Sequence, residues 1–280
     1  MKINKDSLKA RANNISNKLN ISQNVIYNRF FYDAFLARLS KSKYKNEFVL
    51  KGGLYLSSVF GINTRSTMDV DFFLRKISME KDRIVDIVKE IATVNNDDDI
   101  SFEVINVGEI RKDDQYGGFQ ITVLGRLDNV RCQFGIDVAT GDPIVPSEKN
   151  YEYKCLVSGE TLFLKAYSLE SIISEKLQTV LSRSISNSRS KDYYDLYMLR
   201  KTQLANIDGQ FLKKAFQETC DYRHFSITKN EAFVLIDEIE NNNQMRNRWN
   251  SYCRNVKYTN DLSFQEAVSS LREWIDCVLE

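Results

Sequence analysis

Two aspartates separated by one residue, Asp69 and Asp71, are the clearest sign of chemistry in this sequence. The surrounding residues alternate between apolar and polar types, which predicts a strand from Met68 to Leu74. Because residues i and i+2 of a strand point to the same face, both carboxylates are expected on one face, where like charges repel each other. A hard cation with a preference for oxygen ligands, Mg²⁺ or Mn²⁺, offsets that repulsion and bridges to substrate phosphates.

Two further features are compatible with a phosphate-handling site. Gly52-Gly53 follows the short apolar stretch Phe48–Leu50. Such a glycine pair lets the backbone approach a ligand and turn into a helix whose free N–H groups receive a phosphate, although it also fits an ordinary tight turn. Asp137 lies between apolar residues and is predicted on a second strand. It is interpreted as the third carboxylate of the metal site, and the alternative is an aspartate that caps a turn at the end of a strand.

The elements that position these residues fall into two halves. The first half mixes helices and strands: helices are predicted over Val25–Leu39, Leu54–Phe60 and Asp82–Val94, and strands over Ile100–Val107, Gly118–Leu124 and Val130–Val138. The second half is helical, with helices predicted over Leu169–Leu181, Asp192–Arg200, Phe211–Thr219, Glu231–Glu240 and Ser263–Leu279. The sequence therefore predicts an α+β fold, with a mixed-sheet lobe and N-terminal helices over residues 1–160 and an all-helical C-terminal lobe over residues 161–280.

Composition excludes several other classes of protein. The 280 residues include only 2 Pro and 11 Gly and are 42% hydrophobic, as expected of a globular chain with a large core. The 5 cysteines form no CxxC pair and His224 is the only histidine, which argues against zinc fingers, disulfide frameworks and mechanisms that need a histidine base. No apolar run approaches the length of a membrane span and the N-terminus does not resemble a signal peptide, so a cytoplasmic protein is expected.

Four sequence blocks occur in a fixed order between residues 51 and 196. They are Lys51-Gly52-Gly53 with Leu56, Arg65-x-Thr67-x-Asp69-x-Asp71-Phe72, Ser168 to Leu177 with Glu175-Lys176-Leu177, and Arg189-x-Lys191-Asp192-x-x-Asp195-Leu196. In these blocks and their order the chain resembles the AbiEii/AbiGii toxin family of the nucleotidyltransferase superfamily. One departure from the family pattern is Leu54, which stands where the family usually has Ser or Thr and so removes a hydroxyl contact to the nucleotide.

The resemblance implies a metal-dependent toxin of a toxin–antitoxin or phage-defence system. Such a toxin takes a nucleotide from an NTP and transfers it to an acceptor, which in relatives is the 3′ end of tRNA, and a cognate antitoxin is encoded nearby. The helical lobe is expected to complete the nucleotide site. The implied roles are catalysis for Asp69, Asp71, Lys176 and Asp192, metal binding for Asp69, Asp71 and Asp137, and nucleotide binding for Gly52, Gly53, Arg65, Thr67, Lys176, Lys191 and Asp195.

Lys176 lies on a largely apolar predicted helix, where an ammonium group needs an anion nearby. A triphosphate is expected as its partner rather than a protein carboxylate, and the alternative is a surface lysine that reaches solvent. Asp192 and Asp195 lie three residues apart on one helix face. One of them is expected to be only a cap or a partner of the helix dipole, and the other to orient Lys176, contact the nucleotide or act as a base.

The distribution of charge does not decide which residues would bind RNA. Net charge is only +1, although residues 1–50 contain ten Lys and Arg against three Asp and Glu. Residues 182–190 are predicted to be a polar, mobile loop that clamps RNA or triphosphate, or else a simple connector. Residues 244–258 combine arginines with aromatic rings, which suits RNA, but a helix with its aromatics in the core and its arginines in solvent fits equally. The RNA-binding candidates are Arg183, Arg189, Arg246, Arg248 and Arg254.

Two rival functions remain at this point. With two Mg²⁺ ions held by the three aspartates, phosphoryl transfer needs mostly positioning and charge stabilisation, and it needs no catalytic histidine. A kinase-like phosphotransfer to a protein or small molecule would use the same metal site. A non-catalytic module would keep the fold and bind a nucleotide without transferring it. The presence of all three carboxylates and Lys176 argues against such a module.

Overall fold

A computed structural model describes residues 3–67, 69–110, 117–259 and 262–280. The chain forms two compact units. The sheet unit contains the residues up to Gly141 together with Lys149–Ala166, and the helical unit contains Asp142–Glu148 and Tyr167–Glu280. Lys149–Lys154 and Thr161–Ala166 are strands of the sheet, so the sheet unit extends to Ala166.

The sheet unit is built on a seven-stranded mixed sheet with the order β3-β4-β5-β2-β1-β7-β6. The three strands predicted between residues 100 and 138 are confirmed and extend further, because they pair as an antiparallel meander along their whole lengths. Two strands, β6 and β7, were not predicted. The strands are β1 Phe48–Lys51, β2 Asp69–Leu74, β3 Ser101–Ile110, β4 Gly118–Leu127, β5 Val130–Ala139, β6 Lys149–Lys154 and β7 Thr161–Ala166.

Helix α2 provides most of the aromatic core against one face of the sheet. The Ser22 hydroxyl accepts a hydrogen bond from the backbone N–H of Val25 at 3.4 Å and caps the helix. The Phe35 ring lies against Phe102 and Phe134, with ring centroids at 5.8 and 6.4 Å. Helix α2 therefore covers the sheet face that carries these two rings, which is opposite the face of the odd-numbered residues of β2 and β5. The helices of this unit are α1 Lys5–Leu19, α2 Gln23–Lys41, α3 Gly52–Phe60 and α4 Lys81–Ala92.

A buried polar network fixes helix α2 to strand β6. Arg29 Nε donates to Asp33 Oδ1 at 3.0 Å, and the Tyr153 hydroxyl donates to the same oxygen at 2.6 Å. The backbone N–H of Leu156 donates to the other carboxylate oxygen at 2.7 Å. Burial raises the pKa of Asp33 although the charge of Arg29 opposes the shift. The carboxylate is fully hydrogen-bonded, which is what allows it to lie in the interior.

The helical unit consists of six α-helices among its described residues. Every helix predicted after residue 169 is confirmed, with ends that differ by a few residues, and one further helix covers Asn243–Asn255. The segment Asp142–Glu148 joins this unit because the Asp142 carboxylate accepts from the Arg223 guanidinium at 2.8 Å. The helices are α5 Leu169–Arg183, α6 Ser190–Gln203, α7 Gly209–Tyr222, α8 Lys229–Asn241, α9 Asn243–Asn255 and α10 Phe264–Val278.

The predicted α+β class, with a mixed sheet followed by a helical C-terminal part, is confirmed. In the part of the chain that the structure describes, no helix is both long enough and apolar enough to cross a membrane.

Candidate active site

Asp69 and Asp71 lie on one face of strand β2. Along this strand Val70, Phe72 and Leu74 are buried, whereas the alternate positions are half-buried. The predicted strand is confirmed from Asp69 to Leu74, and Met68 lies outside the described residues. The two carboxylates therefore share the face opposite the aromatic core, as residues i and i+2 of a strand must.

The register of the sheet brings Asp137 beside Asp71. Strand β5 runs parallel to β2, and the Cα partner of Asp71 is Asp137. On the other side, antiparallel strand β1 places Lys51 opposite Asp71. Neighbouring strands lie about 4.8 Å apart and paired side chains point to the same face, so a carboxylate and a lysine flank Asp71. We call Asp69, Asp71 and Asp137 the carboxylate face.

Hydrogen bonds from two neighbours orient this face. The backbone N–H of Gly53 donates to Asp71 Oδ2 at 3.1 Å, and Gln120 Nε2 donates to Asp137 Oδ1 at 2.8 Å. Gln120 was not predicted as a site residue. It is the Cα partner of Asp137 on strand β4, and only the β4–β5 register, which follows from the turn after Leu127, could have identified it.

The glycines let the backbone pack directly against these carboxylates. Gly52 has φ +65°, and a Cβ atom there would lie 2.2 Å from Asp71 Oδ2. A Cβ atom on Gly135 would lie 2.6 Å from Asp69 Oδ1. The sequence predicted that the Gly53 N–H receives a phosphate, but in the structure it donates to Asp71. Phosphate binding at Gly52 and Gly53 stays a prediction.

Arg65 and Thr67 pack against the start of helix α3. A Cβ atom on Gly53 would lie 2.7 Å from Thr67 Oγ1 and 3.5 Å from an Arg65 guanidinium nitrogen. The Arg65 side chain is buried and donates to the carbonyl oxygen of Ser66. Both residues therefore border the glycine pair and the carboxylate face. Their predicted contact with a nucleotide stays a prediction.

The carboxylate face is the metal site expected from the sequence. Within the described residues, no group of three or more His, Cys, Asp and Glu side chains converges to hold a metal ion. The three-carboxylate site expected from the sequence is therefore not assembled as a closed cage. Mg²⁺ is ordinarily held by one or two carboxylates, with water and substrate phosphate oxygens as the other ligands, and the carboxylate face fits that open arrangement.

Exchange of Gly52 for alanine tests whether the glycine serves Asp71. Gly52→Ala introduces both an unfavourable positive φ and a clash with Asp71, so we expect nucleotide transfer to fall by at least about tenfold. Gly159→Ala is the matched control, because Gly159 has φ +73° and no atom within 4 Å of its Cβ position. In urea unfolding, Gly159→Ala should lose about 1 kcal/mol of stability from its positive φ alone, and Gly52→Ala should lose more because of the clash with Asp71. Equal activity in the two variants would contradict a role for Gly52 in placing Asp71.

The second cluster of predicted residues lies in the helical unit. Lys176 Nζ lies 2.6 Å from Asp192 Oδ1 and 2.8 Å from Asp195 Oδ2, and Arg189 Nε lies 2.7 Å from Asp192 Oδ2. The side chains of Lys176, Asp192 and Asp195 are 12%, 1% and 0% exposed, whereas Arg189 is 45% exposed. We call these four residues the ion cluster. Its formal charges cancel.

The charges of the ion cluster keep Lys176 and Asp192 ionised. Burial favours the neutral form of Asp192, but the charges of Lys176 and Arg189 outweigh it and lower the pKa of Asp192 well below its usual range. Burial likewise opposes the charge of Lys176, and the charges of Asp192 and Asp195 nevertheless raise its pKa above the usual value. At neutral pH Lys176 and Asp192 are therefore fixed charges, and Arg189 is the more exposed cation beside them.

Comparison with protein-family models gives one match over most of the chain. Residues 34–270 match the family described as nucleotidyl transferase AbiEii toxin, type IV toxin–antitoxin system. The chain belongs to the AbiEii family. The matched range includes both the carboxylate face and the ion cluster, and membership makes the chain a nucleotidyltransferase toxin.

Solved structures from Helicobacter pylori share the fold of this AbiEii chain. A candidate nucleotidyltransferase from that organism is 13% identical with a TM-score of 0.54, over 91% of this chain and 95% of the other. JHP933 is 15% identical with a TM-score of 0.52, over 91% of this chain and 92% of the other. At these identities the likeness shows the fold alone, and it confirms the predicted nucleotidyltransferase-like architecture. No curated protein matches the chain.

The partner of Lys176 in this AbiEii chain differs from the expected one. The sequence predicted a triphosphate rather than a protein carboxylate, but Asp192 and Asp195 both contact the ammonium group. One aspartate was expected to be only a cap or a partner of the helix dipole, and the other to orient Lys176, contact the nucleotide or act as a base. Asp192 lies in the first turn of α6, where it also suits the helix dipole, but the helix has Arg189 as its N-cap residue and no side-chain cap bond. Both aspartates contact Lys176, so neither serves the helix end alone.

The segment between helices α5 and α6 is more ordered than the predicted loop. Ser182 and Arg183 belong to α5, Ser184–Ser186 form a 3-10 turn, and Asn187 is buried. Arg183 and Lys191 are exposed, whereas Arg189 pairs with Asp192. We call residues 184–189 the connector. The predicted roles of Arg183, Arg189 and Lys191 in binding RNA or nucleotide remain predictions.

The basic and aromatic stretch around Arg248 forms helix α9, which buries one of its aromatic side chains. Trp249 is buried, and its indole N–H donates to the carbonyl oxygen of Leu262 at 3.1 Å. This agrees with the alternative of a helix whose aromatics face the core. Arg248 donates to backbone carbonyls of the connector, and its predicted RNA role stays a prediction. Arg246 and Arg254 are exposed and stay candidates.

Proposed function

We propose that this AbiEii chain is a metal-dependent toxin that transfers a nucleotide from an NTP to the 3′ end of tRNA in the cytoplasm. The observation that carries the proposal is the placement of Asp71 between Asp69 on its own strand and Asp137 on the neighbouring strand. Aligned carboxylates on an open sheet face are what a magnesium-bound triphosphate needs, because phosphoryl transfer depends mainly on positioning and charge stabilisation.

The residues that would hold the metal are Asp69 and Asp71, with Asp137 beside them. When bound there, Mg²⁺ or Mn²⁺ supplies positive charge to the phosphates and to the acceptor hydroxyl. The chain itself holds Asp71 with the Gly53 N–H and Asp137 with the Gln120 amide, so two of the carboxylates are oriented before any ligand binds. This preorganisation lowers the cost of reaching the reactive arrangement.

The ion cluster is proposed to bind the nucleotide through its cations. Lys176 is already neutralised by two carboxylates, and Arg189 is the more exposed cation of the cluster. A phosphate would compete with Asp192 for the Arg189 guanidinium, whose planar fork binds phosphate and carboxylate equally well. Family membership also leads us to propose a cognate antitoxin encoded by a neighbouring gene and a role in phage defence.

Transfer to RNA is tested by incubating the purified protein with each labelled NTP, Mg²⁺ or Mn²⁺, and total tRNA. We expect label in tRNA from at least one NTP. Label in a protein or small molecule instead would favour kinase-like phosphotransfer, and no label in any acceptor would contradict the proposal.

The RNA surface is tested in the same assay with a salt series. Near-neutral net charge gives no long-range attraction to RNA, so local cations must provide it. The exposed residues Arg183, Arg246 and Arg254 are changed together to Gln, and each lost phosphate contact should reduce the slope of log affinity against log salt by about 0.7. NTP binding should be unchanged. An unaltered salt slope would place the RNA path elsewhere.

A further inference from the structure

Arg248 on helix α9 holds the backbone of the connector. Its guanidinium nitrogen Nη1 donates to the carbonyl oxygen of Ile185 at 2.8 Å and to that of Asn187 at 3.3 Å. Both acceptors lie in the short segment between α5 and α6, far from Arg248 in the sequence. The contact therefore ties the start of helix α6 to helix α9 within the helical unit.

The connector has a conformation that needs such support. It begins at Ser184, whose φ of +43° is one that residues other than glycine rarely adopt. Three residues later the Asn187 side chain is buried, although Ser186 and Ser188 on either side are exposed. Unfavourable backbone of this kind persists only where surrounding contacts fix it. Arg248 provides two of those contacts.

A continuous series of hydrogen bonds leads from this anchor to the ion cluster. The Asn187 side-chain oxygen accepts from the backbone N–H of Arg189 at 3.0 Å. Arg189 Nε donates to Asp192 Oδ2 at 2.7 Å, and Asp192 Oδ1 accepts from Lys176 Nζ at 2.6 Å. Each step shares a residue with the next, so the position of the connector sets where the Arg189 guanidinium meets Asp192.

We infer that Arg248 is a positioning residue for nucleotide transfer, which acts through the connector and Arg189 on the ion cluster. The inference rests on the proposed function in so far as the ion cluster serves the nucleotide. Arg189 reaches Asp192 from the last residue of the connector, so its pairing with Asp192 depends on where the connector backbone is held. A shift of about 1 Å in such a group can cost about 100-fold in rate.

The anchoring step is tested without any activity measurement. Arg248→Met keeps the apolar stem of the side chain and removes its donors. Trypsin cleaves after Arg183 and Arg189, so we expect cleavage in the connector to become at least about tenfold faster. The matched control is Arg272→Met, because Arg272 is also partly buried but pairs with Asp237 and Glu240 at 2.6 and 2.8 Å on helix α8. Equal cleavage rates in both variants would overturn the anchoring.

The positioning step is tested by a double-mutant cycle on kcat/KM for the NTP. Arg248→Met should lower kcat/KM by about tenfold or more, mainly through a higher KM for the NTP, and Arg248→Lys should restore part of it because one nitrogen makes both contacts. In an Arg189→Met background the same change should cost less than about twofold, since the two residues act in series. Independent, multiplicative effects would overturn the inference.

The outcomes separate this inference from the proposed function. If the parent protein transfers a nucleotide but the effects of Arg248→Met and Arg189→Met multiply, the proposed function stands and Arg248 has no positioning role. If the parent neither transfers a nucleotide nor binds any of the NTPs in calorimetry, the proposed function fails and the positioning role fails with it. Faster tryptic cleavage in that case would identify Arg248 as a structural anchor only, which also overturns the inference.

Discussion

Asp71→Asn should reduce nucleotide transfer by at least about 1000-fold while the protein stays folded. Asparagine has the size of aspartate and keeps an acceptor for the Gly53 N–H, which lies 3.1 Å from Asp71 Oδ2. The change removes one charge from a face that carries three aspartates, so the loss is electrostatic. A deficit of about 4 kcal/mol in stabilisation of the transferring phosphate corresponds to that factor. Asp69→Asn should behave in the same way.

Stability distinguishes a site residue from a structural one in this test. Removal of one of several like charges relieves repulsion, so urea unfolding should show a loss of less than about 1 kcal/mol or a small gain. Glu152→Gln on strand β6 is the control, because it removes an exposed carboxylate from the same sheet unit. An active Asp71→Asn protein would refute the metal assignment, and unfolding of both aspartate variants would indicate a structural role.

The faces of the elements could be predicted from the sequence, whereas the neighbours of each residue could not. Period-two alternation alone placed Asp69 and Asp71 on the polar face of a strand, because one face of that strand is filled by Val70 and Phe72. That Asp137 is the Cα partner of Asp71 depends on the parallel register of β2 and β5, which no local pattern specifies. That Gln120 is the Cα partner of Asp137 depends in the same way on the register of β4 and β5.

Strands β6 and β7 and helix α9 were missed, and the reasons differ between β6 and α9. Strand β6 alternates polar residues with Tyr151 and Tyr153, so its pattern was present but not interpreted. Helix α9 has a strongly polar sequence in which only Met245 and Trp249 are buried, and so its apolar stripe is narrow. In that helix the Trp249 ring is buried, whereas Arg246 and Arg254 are exposed, which is the commoner arrangement of a basic, aromatic stretch.

The ion cluster shows why a buried charge cannot be assigned to a ligand from sequence alone. The argument that Lys176 needs an anion was correct, but the anion is provided by Asp192 and Asp195 from a different helix. Burial of Lys176 requires compensation of its charge and does not say by what. Tertiary contacts between helices α5 and α6 decide it.

Lys176→Ala should therefore destabilise the protein and abolish transfer together. The change leaves Asp192 and Asp195, which are 1% and 0% exposed, with Arg189 as their remaining partner in the ion cluster. Loss of one partner from a buried ion pair costs about 3 to 5 kcal/mol, because the remaining charge is left uncompensated. Urea unfolding at pH 7 measures this loss. Unchanged stability would contradict the importance of the pairing.

The effect of pH on this variant has a defined sign. The pKa of Asp192 in the folded protein is held below its usual value, so its stabilising contribution is present above about pH 4 and is lost as the pH falls towards the folded pKa. In Lys176→Ala the main opposing charge is gone and burial favours the protonated Asp192 carboxyl, so this variant loses less stability on acidification. The difference in stability between parent and variant should therefore shrink as the pH is lowered below about 4.

A triple variant separates the structural role of Lys176 from its role in transfer. Lys176→Met with Asp192→Asn and Asp195→Asn removes the three most buried charges of the ion cluster while keeping side chains of similar size. Replacement of a complete buried ion pair is often neutral or stabilising, so stability at pH 7 should return to within about 1 kcal/mol of the parent. Transfer should remain lost, because the triple variant keeps the carboxylate face but lacks the charges proposed to act on the nucleotide. A stable and fully active triple variant would show that the ion cluster only holds helices α5 and α6 together, and nucleotide binding would then have to be assigned to the carboxylate face and its glycines alone.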